Sequence, residues 1–370
     1  MARLRARSWV LRSALLVVTL AVVAGCAPAS LGGGPAAAPA AQPTELPPSA
    51  AATWYPAGLL PAANAAFSVA PYFITLDSRR QGEPAIVTDA LTGKVLASVP
   101  PPTGSTGFIG VAAADDDHTF VLAAQSRTSA VGFYELRLGP TGQPRPVVPL
   151  PVPALAYGGA FAVSADGSKL AIATATAKSA GIEVVSLASG GVRAWDAPSG
   201  HVTDLSWSGS RSLAFLWWDG SRFPRAARAR SGVRLLDTAA AGRNLLASRR
   251  VIDQSAHTRL GTFTGVAYPL ISGDGSKVFA TMLWGGPANP MAEVVEFSAR
   301  TGQALKVVAP AERESGMGSW CGALWSNPSG TRATAVCRGE GRIVGGRFTS
   351  RNLHAPAHEF STPRGSFIAW

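Results

Sequence analysis

The chain has 370 residues, of which 47% are hydrophobic and 15% are charged, and its formal net charge is +11. This composition excludes a largely disordered protein, because so many apolar residues can bury a core of one large or two smaller domains. Beyond residue 26 no apolar run reaches the roughly 18 residues that a membrane-spanning helix needs. The basic residues are spread along the chain, which argues against nucleic acid as a partner and favours contact with an anionic surface.

The first 25 residues have the features of an export signal. Four arginines precede the apolar run 14–24, and a Val-Ala-Gly-Cys unit ends at Cys26. A basic head, a short apolar stretch and small residues before a cleavage point describe a secretory signal. The unit resembles the lipobox of bacterial lipoproteins, and the composition rich in alanine and arginine is typical of actinobacteria. The resemblance implies a signal peptide over 1–25 and a lipid on Cys26 that anchors the protein to the extracytoplasmic side of the cell membrane.

Residues 26–53 predict a tether. After the cysteine they consist almost entirely of Ala, Pro, Gly, Ser, Thr and Gln, which cannot build a core. A Pro-rich chain extends at about 3.1 Å per residue, so this segment can span up to roughly 80 Å. We therefore expect a globular domain over 54–370 that is held away from the membrane.

The other two cysteines of the chain are Cys321 and Cys337. The turn-forming segment 327–330 (Asn-Pro-Ser-Gly) lies midway between them, so a hairpin folded there places them opposite each other on neighbouring strands. Disulfides persist outside the cytoplasm, and directly opposed residues come within bonding distance. The spacing predicts a Cys321–Cys337 disulfide, and two buried thiols are the alternative.

From residue 54 onward, short β-branched runs alternate with turns rich in Gly, Asp, Ser and Pro, which is typical of strands and hairpins. A unit recurs at about 50 residues. Its first hairpin has a Ser-x-Asp-Gly-Ser turn, clearest at 164–168 and 272–276, and its second has a small glycine turn, as at 92–93 and 301–302. Two hairpins per unit predict a four-stranded antiparallel sheet.

These turns resemble those of TolB-like and WD40-like β-propellers, and the resemblance covers about residues 65–370. It implies an all-β propeller with four antiparallel strands per blade and six blades, with seven as the alternative. Residues 365–370 have the pattern of an inner strand, so the C-terminal strand is expected to complete the first blade and close the ring, which removes exposed sheet edges. Alternatively, residues 65–69 supply that strand.

Loops on one face of such a ring are the candidate binding surface, because variable loops on a rigid scaffold commonly carry function. The longer loops are expected on this face, at 100–107, 126–131, 151–158, 218–232, 252–263, 284–292 and 310–319. Arginines bind carboxylate or phosphate groups and aromatic rings stack on ligands, so the candidate ligand-binding residues are Trp218, Arg222, Phe223, Arg225, Arg228, Arg230 and Trp284. A solvated basic loop and a tryptophan that closes the channel mouth are the alternatives.

Catalytic motifs are missing from the sequence, which has no Gly-x-Ser-x-Gly, His-Glu-x-x-His or Cys-x-x-Cys. The run Asp115-Asp116-Asp117 lacks the alternating oxygen spacing of a calcium loop, and Asp204 is the main acid on the predicted inner strands. We expect no cofactor and no metal, and a non-catalytic binding or scaffold module for a protein, peptide or envelope glycan. The alternatives are a propeller hydrolase or lyase with a metal in the central channel, and a structural part of a membrane complex.

Overall fold

The structure is a computed structural model. It describes residues 71–77, 82–90, 92–153, 157–176, 178–219, 231–240, 242–253, 265–284, 291–309, 320–326, 332–338, 342–348, 353–354, 359–361 and 366–369. The predicted signal, the tether and Cys26 lie outside these residues. Among the described residues there is no helix with the length and apolar character needed to cross a bilayer.

The described residues form strands and one short 3₁₀ turn, Leu245–Ala247. Sheet 1 has the order β25-β1-β2-β3 and consists of β1 (Tyr72–Asp77), β2 (Ala85–Asp89), β3 (Val95–Val99) and β25 (Ser366–Ala369). Sheet 2 consists of β4 (Ser105–Ala113), β5 (Thr119–Ser126), β6 (Val131–Arg137) and β7 (Val148–Pro149). Sheet 3 consists of β8 (Tyr157–Val163), β9 (Lys169–Ala175), β10 (Ala180–Ser186) and β11 (Val192–Ala197).

The remaining sheets follow in chain order. Sheet 4 consists of β12 (His201–Ser208), β13 (Ser212–Trp218), β14 (Gly232–Asp237) and β15 (Arg249–Asp253). Sheet 5 consists of β16 (Gly265–Ile271), β17 (Lys277–Trp284), β18 (Met291–Ser298) and β19 (Ala304–Ala309). Sheet 6 consists of β20 (Trp320–Ser326), β21 (Arg332–Arg338), β22 (Arg342–Phe348) and β23 (Leu353–His354), and β24 (Glu359–Ser361) also pairs with β22.

The sheets meet through their first strands. Strand β4 contacts β8, β8 contacts β12, β12 contacts β16 and β16 contacts β20, while β25 contacts both β4 and β20. Four-stranded antiparallel sheets with their first strands side by side form a β-propeller architecture. The prediction of an all-β fold built from such sheets is confirmed, and β25 pairs with β1 from Ile74–Ala369 to Asp77–Ser366.

The apolar core lies between neighbouring sheets. Because side chains alternate along a strand, each sheet has one apolar face toward the preceding sheet and one toward the following sheet. Phe120 and Leu122 pack against sheet 1, whereas Val121 and Ala123 pack against sheet 3. Similar clusters join sheets 3 and 4 and sheets 4 and 5.

The Ser-x-Asp-Gly-Ser turns form the first hairpins as the sequence predicts. Ser164 Oγ donates to Asp166 Oδ1 at 2.6 Å and accepts the backbone N–H of Lys169 at 3.0 Å. Asp166 Oδ1 also accepts the backbone N–H of Ser168 at 3.0 Å, and Gly167 has φ of 67°. The turn of sheet 5 repeats these bonds with Ser272, Asp274, Gly275, Ser276 and Lys277.

Two connections between third and fourth strands are longer than the sequence predicts. Residues 138–147 join β6 to β7, and residues 238–248 join β14 to β15. The expectation that long loops concentrate on one face is therefore wrong for sheets 2 and 4. In sheet 4 the additional residues cover a neighbouring sheet edge, since Asp196 of β11 donates its N–H to the Arg243 carbonyl at 2.7 Å and forms a parallel bridge with Asn244.

Within the described ranges, the outermost strands do not present regular free edges. Strands β3, β15 and β19 pair with their neighbours through bulged registers, and β7 and β23 are two residues long. Strand β11 has a regular register, but segment 243–244 lies along it. Bulges, short length and a covering segment are devices that prevent a sheet edge from pairing with another chain.

Candidate functional site

The candidate site lies where the first strands begin and the second strands end, which we call the loop end. His201 begins β12, Trp218 ends β13, and the two residues are direct cross-strand partners. Both side chains are exposed, and Trp218 keeps 39% of its surface accessible. The arginine-rich segment predicted to bind ligand follows directly after Trp218.

Of the other predicted site residues, the structure describes the position of Trp284 only. Trp284 ends β17 and therefore occupies the same position in sheet 5 that Trp218 occupies in sheet 4. The remaining five candidates lie outside the described residues, and they are Arg222, Phe223, Arg225, Arg228 and Arg230. The structure describes both ends of their segment, where the backbone N–H of Asp219 donates to Ser231 Oγ at 2.9 Å and both residues are buried.

Glycine at position 200 places the start of β12 against the end of β13. Gly200 has φ of 96°, a conformation that favours glycine. A Cβ atom at this position would lie 2.5 Å from the Trp217 ring and 2.6 Å from the Trp218 carbonyl oxygen. The close approach of Gly200 to Trp217 and to the Trp218 backbone thus helps to fix the positions of His201 and Trp218.

Bulges interrupt the first strands near the loop end. The register shifts between Thr203 and Ser206 in β12 and between Ala267 and Leu270 in β16. Within these bulges Asp204 has φ of 53° and Tyr268 has φ of 51°. Positive φ in a bulky residue such as tyrosine costs about 1–3 kcal/mol, and such strain is often found at functional sites. Nothing in the sequence signals the strain at Tyr268, whereas aspartate is among the residues that tolerate this conformation.

Asp204 is the one acidic residue on the described first strands. Its carboxylate accepts the Thr203 hydroxyl at 2.9 Å and the backbone N–H of Tyr268. Burial raises the pKa of Asp204 above its ordinary value, and this effect outweighs the two hydrogen bonds, which favour the ionised form. The residue as a whole is half-buried, and its carboxylate is shielded by protein.

Strand β12 is fixed to both neighbouring sheets. The buried Trp207 donates its indole N–H to the Ala162 carbonyl of β8 at 3.0 Å. On the other side Ser208 Oγ donates to the Gly273 carbonyl of the turn after β16 at 3.0 Å. These bonds hold the candidate site on a rigid strand, which is a requirement for a preorganised binding surface.

The residues around Asp204 do not fit a metal ion. Its described partners are a hydroxyl and a backbone N–H that donate to it, and an N–H group cannot serve as a metal ligand. In the part of the chain that the structure describes, no three His, Cys, Asp or Glu side chains come together as a metal-binding group. The arrangement fits a partner that forms hydrogen bonds.

The two cysteines predicted to form a disulfide are direct partners in the register of β20 and β21. A bulge follows Cys321 in β20, so sheet 6 has the same interruption of its first strand as sheets 4 and 5. The register agrees with the predicted hairpin, and the disulfide between Cys321 and Cys337 stays a prediction.

Comparison with protein-family models and with characterised proteins finds no match to this chain. Among solved structures, the chain is similar to TolB from Acinetobacter baumannii, with 13% identity over 81% of this chain and 65% of that one and a TM-score of 0.49. A periplasmic gluconolactonase of Pseudomonas aeruginosa has 13% identity over 80% of this chain and 98% of that one, with a TM-score of 0.45. A putative TolB from Agrobacterium tumefaciens has 13% identity over 77% of this chain and 87% of that one, with a TM-score of 0.43.

The chain thus spans less than two thirds of the length of the Acinetobacter TolB. Identities of 13% and TM-scores below 0.5 carry no information on function.

Proposed function

We propose that this protein is an exported, membrane-anchored lipoprotein whose β-propeller is a non-catalytic binding module for a protein, peptide or envelope glycan. In this proposal Cys26 carries the lipid, residues 26–53 form the tether, and the domain over 54–370 lies on the extracytoplasmic side of the membrane. The sheets form six blades, and β25 closes the ring. The pairing of β25 with β1 and its contacts with β4 and β20 support that closure.

One observation carries the binding function. An exposed tryptophan, Trp218, stands at the loop end beside exposed His201, directly before an arginine-rich segment whose two ends are joined through Asp219 and Ser231. Aromatic and arginine side chains are enriched in binding surfaces because both combine apolar area with hydrogen bonding or charge. The hydrogen bonds from Trp207 and Ser208 to the neighbouring sheets hold strand β12, which begins with His201, in place.

Anchoring is tested in cells by metabolic labelling with a radioactive fatty acid. We expect label on the wild-type chain and none on the Cys26→Ser variant, which should leave the membrane fraction. An unlabelled wild-type chain would contradict the lipoprotein part of the proposal.

Binding is tested by crosslinking the full chain in native envelope and quantifying the retained protein and polymer. The test variant replaces Arg222, Arg225, Arg228 and Arg230 by Gln, and Leu305→Ala, on the outer strand β19, is the matched surface control. We expect the glutamine variant to retain less of one envelope component and the control to retain as much as wild type. Equal retention by all three chains would contradict the proposed surface.

A propeller hydrolase or lyase with a metal in the central channel is the alternative function, and the described residues around Asp204 do not support it. Metal analysis of protein prepared without chelators separates the two functions. Stoichiometric Ca²⁺ or Zn²⁺ would support the enzyme, and a metal-free domain would contradict it.

A further inference from the structure

We infer that the loop end of sheet 4 binds a saccharide, with the Trp218 ring as its stacking surface and His201 and Asp204 as its hydrogen-bonding groups. We call these three residues the Trp218 site. The inference rests on the proposed binding function and names the ligand class of that function.

The three side chains lie on the same side of sheet 4. Leu216 packs in the apolar cluster between sheets 4 and 5, and by strand alternation Trp218 is on the same face. His201 shares this face because it is the direct partner of Trp218, and Asp204 is turned to sheet 5 because Tyr268 donates its N–H to the carboxylate. At about 3.3 Å per residue, Asp204 lies about 10 Å along β12 from the His201–Trp218 pair.

The chemistry of the Trp218 site matches a sugar. A pyranose ring has an apolar C–H face, which packs on the electron-rich face of an indole, and a rim of hydroxyl groups. A carboxylate has about four acceptor positions, of which the Thr203 hydroxyl and the Tyr268 N–H use two. Acceptor positions beyond these two described contacts would suit sugar hydroxyls, and the exposed His201 imidazole can both donate and accept hydrogen bonds.

A peptide or protein ligand fits the same surface less well. The core of a protein interface needs contiguous apolar area, but in the described part of the chain the other large exposed apolar side chains lie on outer strands or on the 3₁₀ turn. They are Val95, Val148, Val192, Leu246, Leu305 and Val307. Extended peptides add to free sheet edges, and the described outer edges are bulged, short or covered. A single flat aromatic ring with polar neighbours favours a saccharide.

The experiment is a calorimetric titration of the full chain in detergent micelles with maltohexaose, cellohexaose, mannohexaose, arabinohexaose and chitohexaose. We expect at least one of these neutral hexasaccharides to bind the wild-type chain. Trp218→Ala should then weaken binding by about tenfold, which is the loss of one stacking contact of about 1.4 kcal/mol. Trp218→Tyr keeps an aromatic face and should stay within about threefold of wild type.

Two further variants complete the titration. Asp204→Asn keeps the shape and tolerates positive φ but removes the charge, so it should weaken binding by about threefold or more. Leu305→Ala changes an exposed apolar residue of β19 and should bind like wild type. Thermal unfolding of each variant shows whether the chain is folded, and only folded variants are compared.

The outcomes separate the two proposals. If no hexasaccharide binds but the crosslinking experiment still retains an envelope protein, the saccharide inference is wrong and the binding function stands. If a hexasaccharide binds folded Trp218→Ala as tightly as wild type, the Trp218 site is wrong. If neither experiment detects a ligand, both proposals are wrong.

Discussion

Replacing Gly200 by alanine tests how the loop end is built. The new Cβ atom would lie 2.5 Å from the Trp217 ring and 2.6 Å from the Trp218 carbonyl oxygen. The positive φ of 96° costs an alanine about 1–2 kcal/mol, and forcing a methyl group against a buried ring and a backbone carbonyl costs about 1–3 kcal/mol more. We therefore expect Gly200→Ala to lower the free energy of unfolding by about 2–5 kcal/mol.

Gly104 provides the matched control. It stands directly before β4, as Gly200 stands directly before β12, and its φ is 86°. A Cβ atom at Gly104 would meet nothing within 4 Å, so Gly104→Ala carries the backbone strain without the collision. Both variants restrict the unfolded chain equally. The difference between their losses of unfolding free energy therefore measures the effect of the collision alone.

The assay is urea unfolding of both variants at 25 °C, with the two curves fitted to a common m-value. We expect Gly200→Ala to lose about 1–3 kcal/mol more than Gly104→Ala. If the Trp218 site binds as inferred, Gly200→Ala should also weaken hexasaccharide binding, because the Trp218 backbone must move. Equal losses of stability in the two variants would refute the reasoning, because the collision would then have no effect.

Three other substitutions follow from the inter-sheet contacts. Asp204→Asn should raise the unfolding midpoint at pH 7, because a carboxyl group whose pKa is raised by burial costs the folded protein free energy at any pH above the pKa of the unfolded chain. The gain should vanish at pH 3, where this carboxyl group is protonated in both states, and a gain that is equal at both pH values contradicts the raised pKa. Trp207→Phe should cost about 2 kcal/mol or more in urea unfolding, since it leaves the Ala162 carbonyl without its indole donor. Gly302→Ala, which places a Cβ against a backbone carbonyl of β15, should lower the melting temperature more than Gly93→Ala, which has a similar φ and open space.

Much of the sheet architecture was predictable because each hairpin has a local signal. The Asp-Gly and Thr-Gly turns specify positive φ and side-chain hydrogen bonds within a few residues, so the positions of Asp166, Asp274 and Gly302 follow from the sequence alone. The final strand was also recognisable, because residues 365–370 have the pattern of an inner strand, and β25 pairs with β1.

The long connections escaped prediction because their role is tertiary. Segment 238–248 contains Ala, Gly, Arg and Asn, which is compatible with an ordinary turn region. Its length is explained only by the neighbouring sheet, whose strand β11 it covers through Asn244 and the Arg243 carbonyl.

The candidate site was predictable in part. A tryptophan before a basic loop is visible in the sequence, and Asp204 is recognisable as an acid on an apolar strand. The partnership of Trp218 with His201 depends on the register of β12 and β13, which has a bulge that the sequence does not show. The strained backbone of Tyr268 has no sequence signal, because tyrosine is a common residue of regular strands.

If the protein is anchored as proposed, its irregular outer strands have a consequence for how its copies share a membrane. Anchored molecules are confined to two dimensions, where sideways collisions are frequent and a straight, unpaired strand would nucleate chains of copies. Outer strands that are bulged, short or covered prevent such collisions from joining two copies, because the copies cannot align a continuous run of backbone hydrogen bonds. A crowded layer of these molecules would therefore stay a collection of separate copies.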